Sequence, residues 1–289
     1  MESKNLKILM IGNSFSISVG YFLPSIVKND GKHTLDLTSA YIGGCTLDIH
    51  YQHLTDAEKD PELKPYLISI WKNGDTSLRG VTSMGNVNEL LKNNQYDIVT
   101  IQQGSMKSWD PASYEPFAGE LIKYIRKYQK NAEIIIQQTW SYRSDAPALK
   151  ELALDQDTMY EKLRAAYKEF AERYALRMIP MGDAVQLYRQ RVPEKYQAPE
   201  REFQYPEAPS AYGDLVGLSY WLKDENGGNK LITDTIHLNE AGQFTQAALW
   251  YAFIFGEPVT AAAGVFKDIQ GNNDLELLLS CAADAMKKI

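Results

Sequence analysis

Short, nearly continuous apolar runs recur along the chain and are separated by longer amphipathic stretches. The apolar runs predict five β-strands, at residues 6–12, 34–41, 98–103, 133–138 and 177–181. A strand has a continuous apolar run when helices cover both faces of its sheet, and all of these strands except the second have this pattern. The chain is therefore predicted to form a parallel sheet buried between helices.

Amphipathic spacing predicts helices between and after these strands. The predicted helices span residues 17–29, 86–93, 114–130, 157–174 and 239–255. Strands that alternate with helices are typical of an α/β domain, because each parallel strand needs a long crossover to reach the next. We therefore expect a single domain over residues 1–289.

Two long segments depart from this alternation. Residues 47–84 mix prolines, aromatic residues and charges, and residues 190–230 contain four prolines and four glycines. Loops of this length inside a compact domain are more often functional than idle. We expect both to be loop insertions that overhang the carboxyl edge of the sheet and shape a substrate pocket. The alternative is a pair of insertions that lie far from the chemistry.

The composition is ordinary for a globular protein, with an acidic balance. Of the 289 residues, 44% are hydrophobic and 23% are charged, and the net charge is −7. This charge, without Lys/Arg clusters, argues against nucleic acids and anionic membranes as partners. No apolar run is long enough to be inserted in a membrane. We expect a soluble, cytoplasmic protein as written, or a periplasmic or secreted one if a signal peptide was removed; the oligomeric state stays open.

A serine occupies a sharp turn after the first predicted strand. The apolar residues 8–11 run directly into Gly12, Asn13 and Ser14. This position puts Ser14 at the carboxyl end of a strand, where open α/β sheets bind their ligands. Backbone N–H groups at the start of the next helix would also face a developing oxyanion there. The alternative is that Ser14 or Ser16 only caps that helix.

A carboxylate and an imidazole lie near the other end of the chain. Asp234 precedes His237 by three residues, so the two side chains can meet within one turn of chain. Serine is a weak nucleophile until a base removes its proton, and that base is usually a histidine oriented by a third group. Ser14, Asp234 and His237 therefore predict a serine hydrolase. Asp183 is a rival for the acid, although its position also suits a helix cap.

The remaining histidines and cysteines indicate no second chemistry. His50 and His53 lie close to Asp48 in sequence, but the H-E-x-x-H spacing of zinc-binding helices is absent and no fourth ligand is evident. We therefore expect no metal. Cys45 and Cys281 are too few and too far apart for a disulfide framework. The glycine pattern after the first strand matches neither the dinucleotide-binding motif nor the P-loop, so we expect no cofactor.

The blocks and their order resemble the SGNH, or GDSL-type, hydrolase superfamily. Its first block, G-D/N-S, matches residues 12–14, and its last block, D-x-x-H, matches residues 234–237. Its second block supplies an oxyanion glycine and matches residues 43–46 (Gly-Gly-Cys-Thr), with Gly44 as the donor. The resemblance spans nearly the whole chain. It implies a three-layer α/β/α fold with a flavodoxin-like, five-stranded parallel sheet in the order 2-1-3-4-5.

The third block departs from the family pattern. The family usually has G-x-N-D there, whereas Met106 stands here where the asparagine is expected. Carbohydrate acetylesterase relatives have Gln-Gly-Glu/Ser at this point, and Gln103, Gly104 and Ser105 are similar. A glutamine amide is an adequate oxyanion donor, so we expect Gln103 to replace the asparagine. The combination of Gly-Asn-Ser-Phe with Gln-Gln-Gly-Ser resembles a branch from gut bacteria, the domain of unknown function family 4886.

The resemblance implies a cofactor-independent serine esterase. His237 would deprotonate Ser14, and the oxyanion would be held by the N–H groups of Ser14 and Gly44 and by the Gln103 amide. The favoured substrate is a small acyl ester, an acetyl group on a carbohydrate. The alternatives are a lipase or thioesterase with longer acyl chains, and a non-catalytic carbohydrate-binding protein on the same fold. Substrate contacts are expected from Asn13, His50, Tyr51 and Ser105.

Overall fold

Seven strands form the central sheet of this protein. The computed structural model describes residues 2–72, 74–225, 227–267 and 274–288. The strands of this sheet are β1 (Asn5–Gly12), β2 (Thr34–Tyr41), β3 (Tyr66–Trp71), β4 (Val81–Gly85), β5 (Ile98–Ile101), β6 (Glu133–Gln137) and β7 (Arg177–Ile179). Their order across the sheet is β4-β3-β2-β1-β5-β6-β7.

The parallel part of the sheet consists of β2, β1, β5, β6 and β7, in that order. These are the five strands predicted from the apolar runs, so the α/β class and the order 2-1-3-4-5 are confirmed. Ile8 and Ile11 of β1 are at most 1% exposed, and all of β5 is buried, as expected when helices cover both faces. The carboxyl ends of the parallel strands meet at one edge, where the candidate chemistry lies.

Helices pack on both sides of this sheet and complete the three layers. The helices are α1 (Ser14–Ile17), α2 (Leu23–Asp30), α3 (Leu47–Lys59), α4 (Val87–Asn93), α5 (Phe117–Tyr128), α6 (Pro147–Glu151), α7 (Gln156–Tyr174), α8 (Met181–Arg191), α9 (Glu240–Phe255) and α10 (Leu275–Ala285). α9 contacts α2, α8 and α10, whereas α5 contacts α3 and α4. In the described ranges, no helix has the length and apolarity to cross a bilayer, and the apolar α9 is buried inside the protein.

The first predicted helix, residues 17–29, is broken into two. α1 is followed by a 3₁₀ turn over Ser18–Tyr21, and α2 starts afresh at Leu23. Gly20 lies so close to Trp71 that an added Cβ would be 2.5 Å from the indole ring. Pro24 lies in the first turn of α2, where its missing N–H leaves no helical hydrogen bond unmade.

Residues 47–84 are not a loop insertion, contrary to the prediction. α3 begins at Leu47, directly after the loop that carries Gly44, and β3 and β4 follow it. β3 pairs antiparallel with β2, and β4 pairs antiparallel with β3, so this segment widens the sheet by two strands. Four of the five residues of β4 are exposed. An edge strand of this kind has no apolar run, which is why the sequence pattern misses it.

The second predicted insertion, residues 190–230, is also partly regular. It begins within α8 and contains β8 (Val216–Lys223) and the start of β9 (Asn229–Leu238). β8 and β9 form an antiparallel hairpin outside the main sheet. Both Asp234 and His237 lie in β9, so this hairpin carries the candidate acid and base. The stretch between α8 and β8 is irregular.

Candidate active site

The turn after β1 presents Ser14 as the first residue of α1. Asn13 caps this short helix, because its side-chain Oδ1 accepts the Phe15 N–H at 3.0 Å. The cap is therefore Asn13, and neither serine of the alternative reading has that role. Gly12 permits the tight turn, since a Cβ there would lie 2.4 Å from the Ser16 hydroxyl oxygen. Ser14 is consequently held at the carboxyl edge of the sheet.

Ser14, His237 and Asp234 form a continuous hydrogen-bonded relay. Ser14 Oγ lies 2.8 Å from His237 Nε2, and His237 Nδ1 lies 2.6 Å from Asp234 Oδ2. The other carboxylate oxygen of Asp234 accepts the backbone N–H groups of Ile236 and His237, at 2.9 and 3.0 Å. The structure thus brings together three side chains from the two ends of the chain in nucleophile–base–acid order.

The carboxyl of Asp234 is strongly held in its ionised form. Burial by itself raises its pKa, but the hydrogen bonds from the His237 imidazole and from two backbone N–H groups outweigh burial and lower the pKa to about 2. An ionised carboxylate at Nδ1 keeps the Nδ1–H tautomer of His237. Nε2 is then free to accept the proton of Ser14.

Two aromatic side chains pack beside His237 and the backbone that precedes it. Phe15 stacks on Trp140 with ring centroids 4.1 Å apart, and it meets the His237 ring edge-on at 5.7 Å. The Trp140 indole N–H donates to the carbonyl oxygen of Ile236 at 2.9 Å. Trp140 was not singled out from the sequence, because a tryptophan two residues beyond a predicted strand has no motif of its own.

Asn13 joins the nucleophile turn to the loop that carries Gly44. Its side-chain Nδ2 donates to the Cys45 carbonyl oxygen at 2.9 Å, and its Oδ1 also accepts from Gln102 Nε2 at 2.7 Å. The side chain is 2% exposed. Asn13 therefore has its polar atoms committed to the protein, and the prediction that it contacts substrate is wrong. Gly44 itself is exposed, with φ of +63°, a conformation that favours glycine.

Gln103 does not have the predicted role of oxyanion donor. Its amide Nε2 donates to the carbonyl and hydroxyl oxygens of Ser113, at 2.9 and 3.1 Å, so both amide hydrogens are used. Its Oε1 accepts the N–H groups of Leu47 and Gly104, at 3.0 and 2.8 Å. The side chain is fully buried. Gln103 instead supports the start of α3 and the turn that follows β5.

A chain of buried glutamines lies beneath the nucleophile turn. Gln137 Nε2 donates to Gln102 Oε1 at 2.7 Å and to the Phe15 carbonyl oxygen at 2.8 Å. Gln137 Oε1 accepts from Gln246 Nε2 at 3.0 Å and from the Trp250 indole N–H at 2.8 Å. This amide network ties β5, β6 and α9 to Phe15. Glutamines at or just after the ends of two buried strands were the available sequence signal, because buried amides need partners.

The other predicted substrate contacts have different surroundings. His50 is fully buried and stacked on Tyr66, with its Nδ1 3.0 Å from the Tyr66 hydroxyl, so the prediction that it contacts substrate is wrong. Tyr51 is half-buried and faces Phe117 of α5, with ring centroids 6.1 Å apart. Ser105 is half-buried, and its hydroxyl lies 2.9 Å from that of Tyr142. Ser105 therefore stays a candidate for substrate contact.

The rival acid, Asp183, and Cys45, in the loop that carries Gly44, lie outside this relay. Asp183 is fully buried and forms an ion pair with Arg164 at 2.8 Å. Cys45 is buried, and burial, helped by the charge of Asp48, raises the pKa of its thiol to about 12. A thiol with this pKa is not a nucleophile near neutral pH. Ser14, whose hydroxyl lies at the His237 imidazole, is therefore the candidate nucleophile of this site.

Comparison with known proteins agrees with this fold. The structure is similar to that of a DUF4886 family protein from Bacteroides uniformis, with 23% sequence identity, a TM-score of 0.74, and coverage of 98% of this chain and 95% of that one. It is also similar to a candidate SGNH hydrolase from Slackia heliotrinireducens, with 19% identity, a TM-score of 0.51, and coverage of 87% and 99%. None of the curated proteins matches the chain. The fold is therefore that of the SGNH hydrolases.

The family model described as domain of unknown function (DUF4886) matches residues 7–198. The match includes Ser14, Gly44 and the turn after β5, whereas Asp234 and His237 lie beyond it. The matched range is more than half of the chain, and the same family contains the similar structure from Bacteroides uniformis. This protein belongs to the DUF4886 family.

Proposed function

We propose that this protein is a serine ester hydrolase. The observation that carries the proposal is the relay in which Ser14 Oγ lies 2.8 Å from His237 Nε2 and His237 Nδ1 lies 2.6 Å from Asp234. These distances are within the range at which a base can accept the proton of a nucleophile. A serine that only caps a helix needs no histidine at its hydroxyl.

The proposed reaction has two steps. His237 takes the proton of Ser14 as the serine oxygen attacks the ester carbonyl, and His237⁺ then protonates the leaving alcohol. Water repeats the sequence on the acyl-enzyme and releases the acid. The oxyanion accepts hydrogen bonds from the N–H groups of Ser14 and Gly44. Because the Gln103 amide is engaged elsewhere, we assign the third contact to the hydroxyl of Ser105, which keeps its own proton for the oxyanion when Tyr142 donates their shared hydrogen bond.

The proposed substrate is a small acyl ester, an acetyl group on a carbohydrate. The His237 side chain is 38% exposed, so an ester of a bulky alcohol can reach this histidine. The Gln-Gly-Ser sequence after β5, which resembles that of carbohydrate acetylesterases, also supports this substrate. A lipase or thioesterase would favour longer acyl chains, and a carbohydrate-binding protein would show no turnover.

Hydrolysis of p-nitrophenyl acetate, butyrate and octanoate by the wild type and by Ser14→Ala tests this proposal. We expect activity that falls with chain length and that Ser14→Ala lowers by about 10⁴-fold or more. Ser83→Ala, which changes an exposed serine of β4, is the matched control and should retain full activity. A phosphonate ester should label Ser14 in the wild type. Activity that survives in Ser14→Ala would contradict the proposal, and a preference for octanoate would favour a lipase.

A further inference from the structure

A groove with a volume of about 870 Å³ opens beside the β8–β9 hairpin. This volume lies within the range of roughly 300–1,000 Å³ that ligand pockets commonly have. We call it the hairpin groove. Its lining includes Tyr21, Phe22, Leu78, Leu218, Glu240 and Gln243.

The hairpin groove adjoins the acid and base of the relay. Leu218 of β8 lies directly opposite Asp234 of β9, and opposed residues in an antiparallel pair have Cβ atoms about 5 Å apart. Glu240 follows His237 by three residues, at the start of α9. Tyr21 ends the short 3₁₀ turn that follows α1 and Ser14. The groove therefore begins on the Asp234–His237 side of the nucleophile.

The position of the groove relative to His237 determines which part of an ester it can hold. The imidazole must give its proton to the leaving oxygen, so that oxygen lies within hydrogen-bonding distance of Nε2. The alcohol portion of the ester therefore extends past His237, whereas the acyl group lies on the other side of Ser14. A groove on the imidazole side receives the alcohol.

The lining of the groove suits an alcohol with both apolar faces and hydroxyl groups. Tyr21 and Phe22 supply aromatic rings, and Leu78 and Leu218 are 63% and 40% exposed, which leaves apolar surface open to solvent. Glu240 adds a polar group at the same surface, and burial raises the pKa of its carboxyl although Lys267 opposes the shift. Sugar rings present C–H faces to aromatic and aliphatic side chains and hydroxyls to carboxylates and amides.

We propose that the hairpin groove binds the sugar portion of an acetylated, neutral oligosaccharide and so determines the alcohol specificity of the enzyme. This assignment rests on the proposed esterase function. Tyr220 and Leu222 extend the apolar face of β8 beyond Leu218 and are 40% and 50% exposed. The surface is thus long enough for more than one sugar unit, and longer oligosaccharides should be better substrates than monosaccharides.

The test compares two acetyl esters that differ only in their alcohol. For acetylated xylotriose and p-nitrophenyl acetate, kcat/KM is measured in the wild type, Leu78→Ala and Glu240→Gln. We expect each variant to lower the ratio of the xylotriose value to the p-nitrophenyl value by about tenfold. Met84→Ala removes a side chain of similar exposure (57%) from β4, outside the groove lining, and should keep the ratio of the wild type. An unchanged ratio in both groove variants would overturn the assignment.

A binding measurement separates this assignment from the esterase proposal. Calorimetric titration of Ser14→Ala with unacetylated xylotriose should give measurable binding that Leu78→Ala in the same background weakens about tenfold. Groove-dependent binding without any Ser14-dependent hydrolysis would refute the esterase and retain the groove. Ser14-dependent hydrolysis with neither groove-dependent binding nor a changed ratio would refute the groove alone.

Discussion

The Asn13 side chain donates a hydrogen bond of 2.9 Å to the carbonyl oxygen of Cys45. Asn13 immediately precedes the nucleophile, and Cys45 immediately follows Gly44, so this contact links the two backbone segments that supply the proposed oxyanion donors. The spacing of these donors therefore depends on a buried amide that does not touch the substrate. We therefore expect Asn13 to act as a positioning residue.

Asn13→Asp should lower kcat by about 10²-fold and leave KM within about twofold of the wild-type value, since an oxyanion donor is worth about 10²–10³ in kcat. The aspartate can still cap α1, but it cannot donate to the Cys45 carbonyl. Asn86→Asp is the matched control, because Asn86 also caps a helix and also donates to backbone carbonyl oxygens, at the start of α4. Equal kcat values in the two variants would show that the Cys45 contact has no role in catalysis.

Asp234→Asn should lower kcat by about 10³- to 10⁴-fold, because an amide at Nδ1 no longer holds the required tautomer of His237. The pKa of Asp234 is lowered to about 2, so its carboxylate is ionised throughout the usual assay range and the loss should persist from about pH 5 to pH 8. Asp183→Asn is the control for the rival acid. It should lower thermal stability, because the buried Asp183 carboxylate pairs with the partly exposed Arg164, and it should leave the pH–rate profile unchanged.

Gln137→Leu should lower the free energy of unfolding by about 2–6 kcal/mol, since it leaves two buried partners unpaired at about 1–3 kcal/mol each. These partners are the Trp250 indole N–H and the Gln102 side-chain carbonyl. Gln52→Leu, which changes an exposed glutamine paired with Asp56, should cost less than about 1 kcal/mol. Urea denaturation of the three proteins measures both values. Equal costs would mean that the amide network does not contribute to stability.

Ser105→Ala should mainly affect kcat, whereas Gln103→Leu should mainly affect the free energy of unfolding. Ser105→Ala should lower kcat by about tenfold or more, because it removes a proposed oxyanion contact, and its cost in stability is limited to the one hydrogen bond with Tyr142. Gln103→Leu should lower the free energy of unfolding by about 2 kcal/mol or more, since it leaves the Leu47 and Gly104 N–H groups without their acceptor. Thermal melts, together with the kinetics of p-nitrophenyl acetate hydrolysis, distinguish the two variants. A Gln103→Leu protein with wild-type stability and no activity would restore Gln103 as the donor.

The unfolding free energy should decrease as the pH is lowered, because His50 is buried in its neutral form. Burial lowers the pKa of His50 from 6.5 to about 3, with a smaller contribution from His53. The unfolded chain therefore binds a proton that the folded protein does not bind between these values, and the stabilisation is complete above pH 6.5 and lost as the pH falls toward 3. His50→Gln should reduce the slope of unfolding free energy against pH in this window by about 1.4 kcal/mol per unit. Parallel curves for variant and wild type would contradict this assignment.

The parallel part of the fold and the relay were readable from local sequence pattern. Apolar runs such as that of β1 identify strands buried on both faces, and the topology then brings their carboxyl ends to one edge. Ser14 follows such a strand directly, and Asp234 and His237 are close in sequence, so both halves of the relay are local features. Their meeting across more than 200 residues is a property of the tertiary structure, in which β9 lies beside the turn that carries Ser14.

The roles of the amides depended on tertiary structure. Gln103 and Asn13 carry groups that could serve a substrate, and only their hydrogen-bond partners, Ser113 and Cys45, show that these groups are already used. The edge strand β4 and the β8–β9 hairpin were also missed, because exposed strands lack the apolar run that marks a buried one. Sequence pattern therefore identified the five parallel strands and where reactive groups lie along the chain. Tertiary structure decided which polar groups remain free, because a hydrogen bond depends on partners that sequence spacing does not specify.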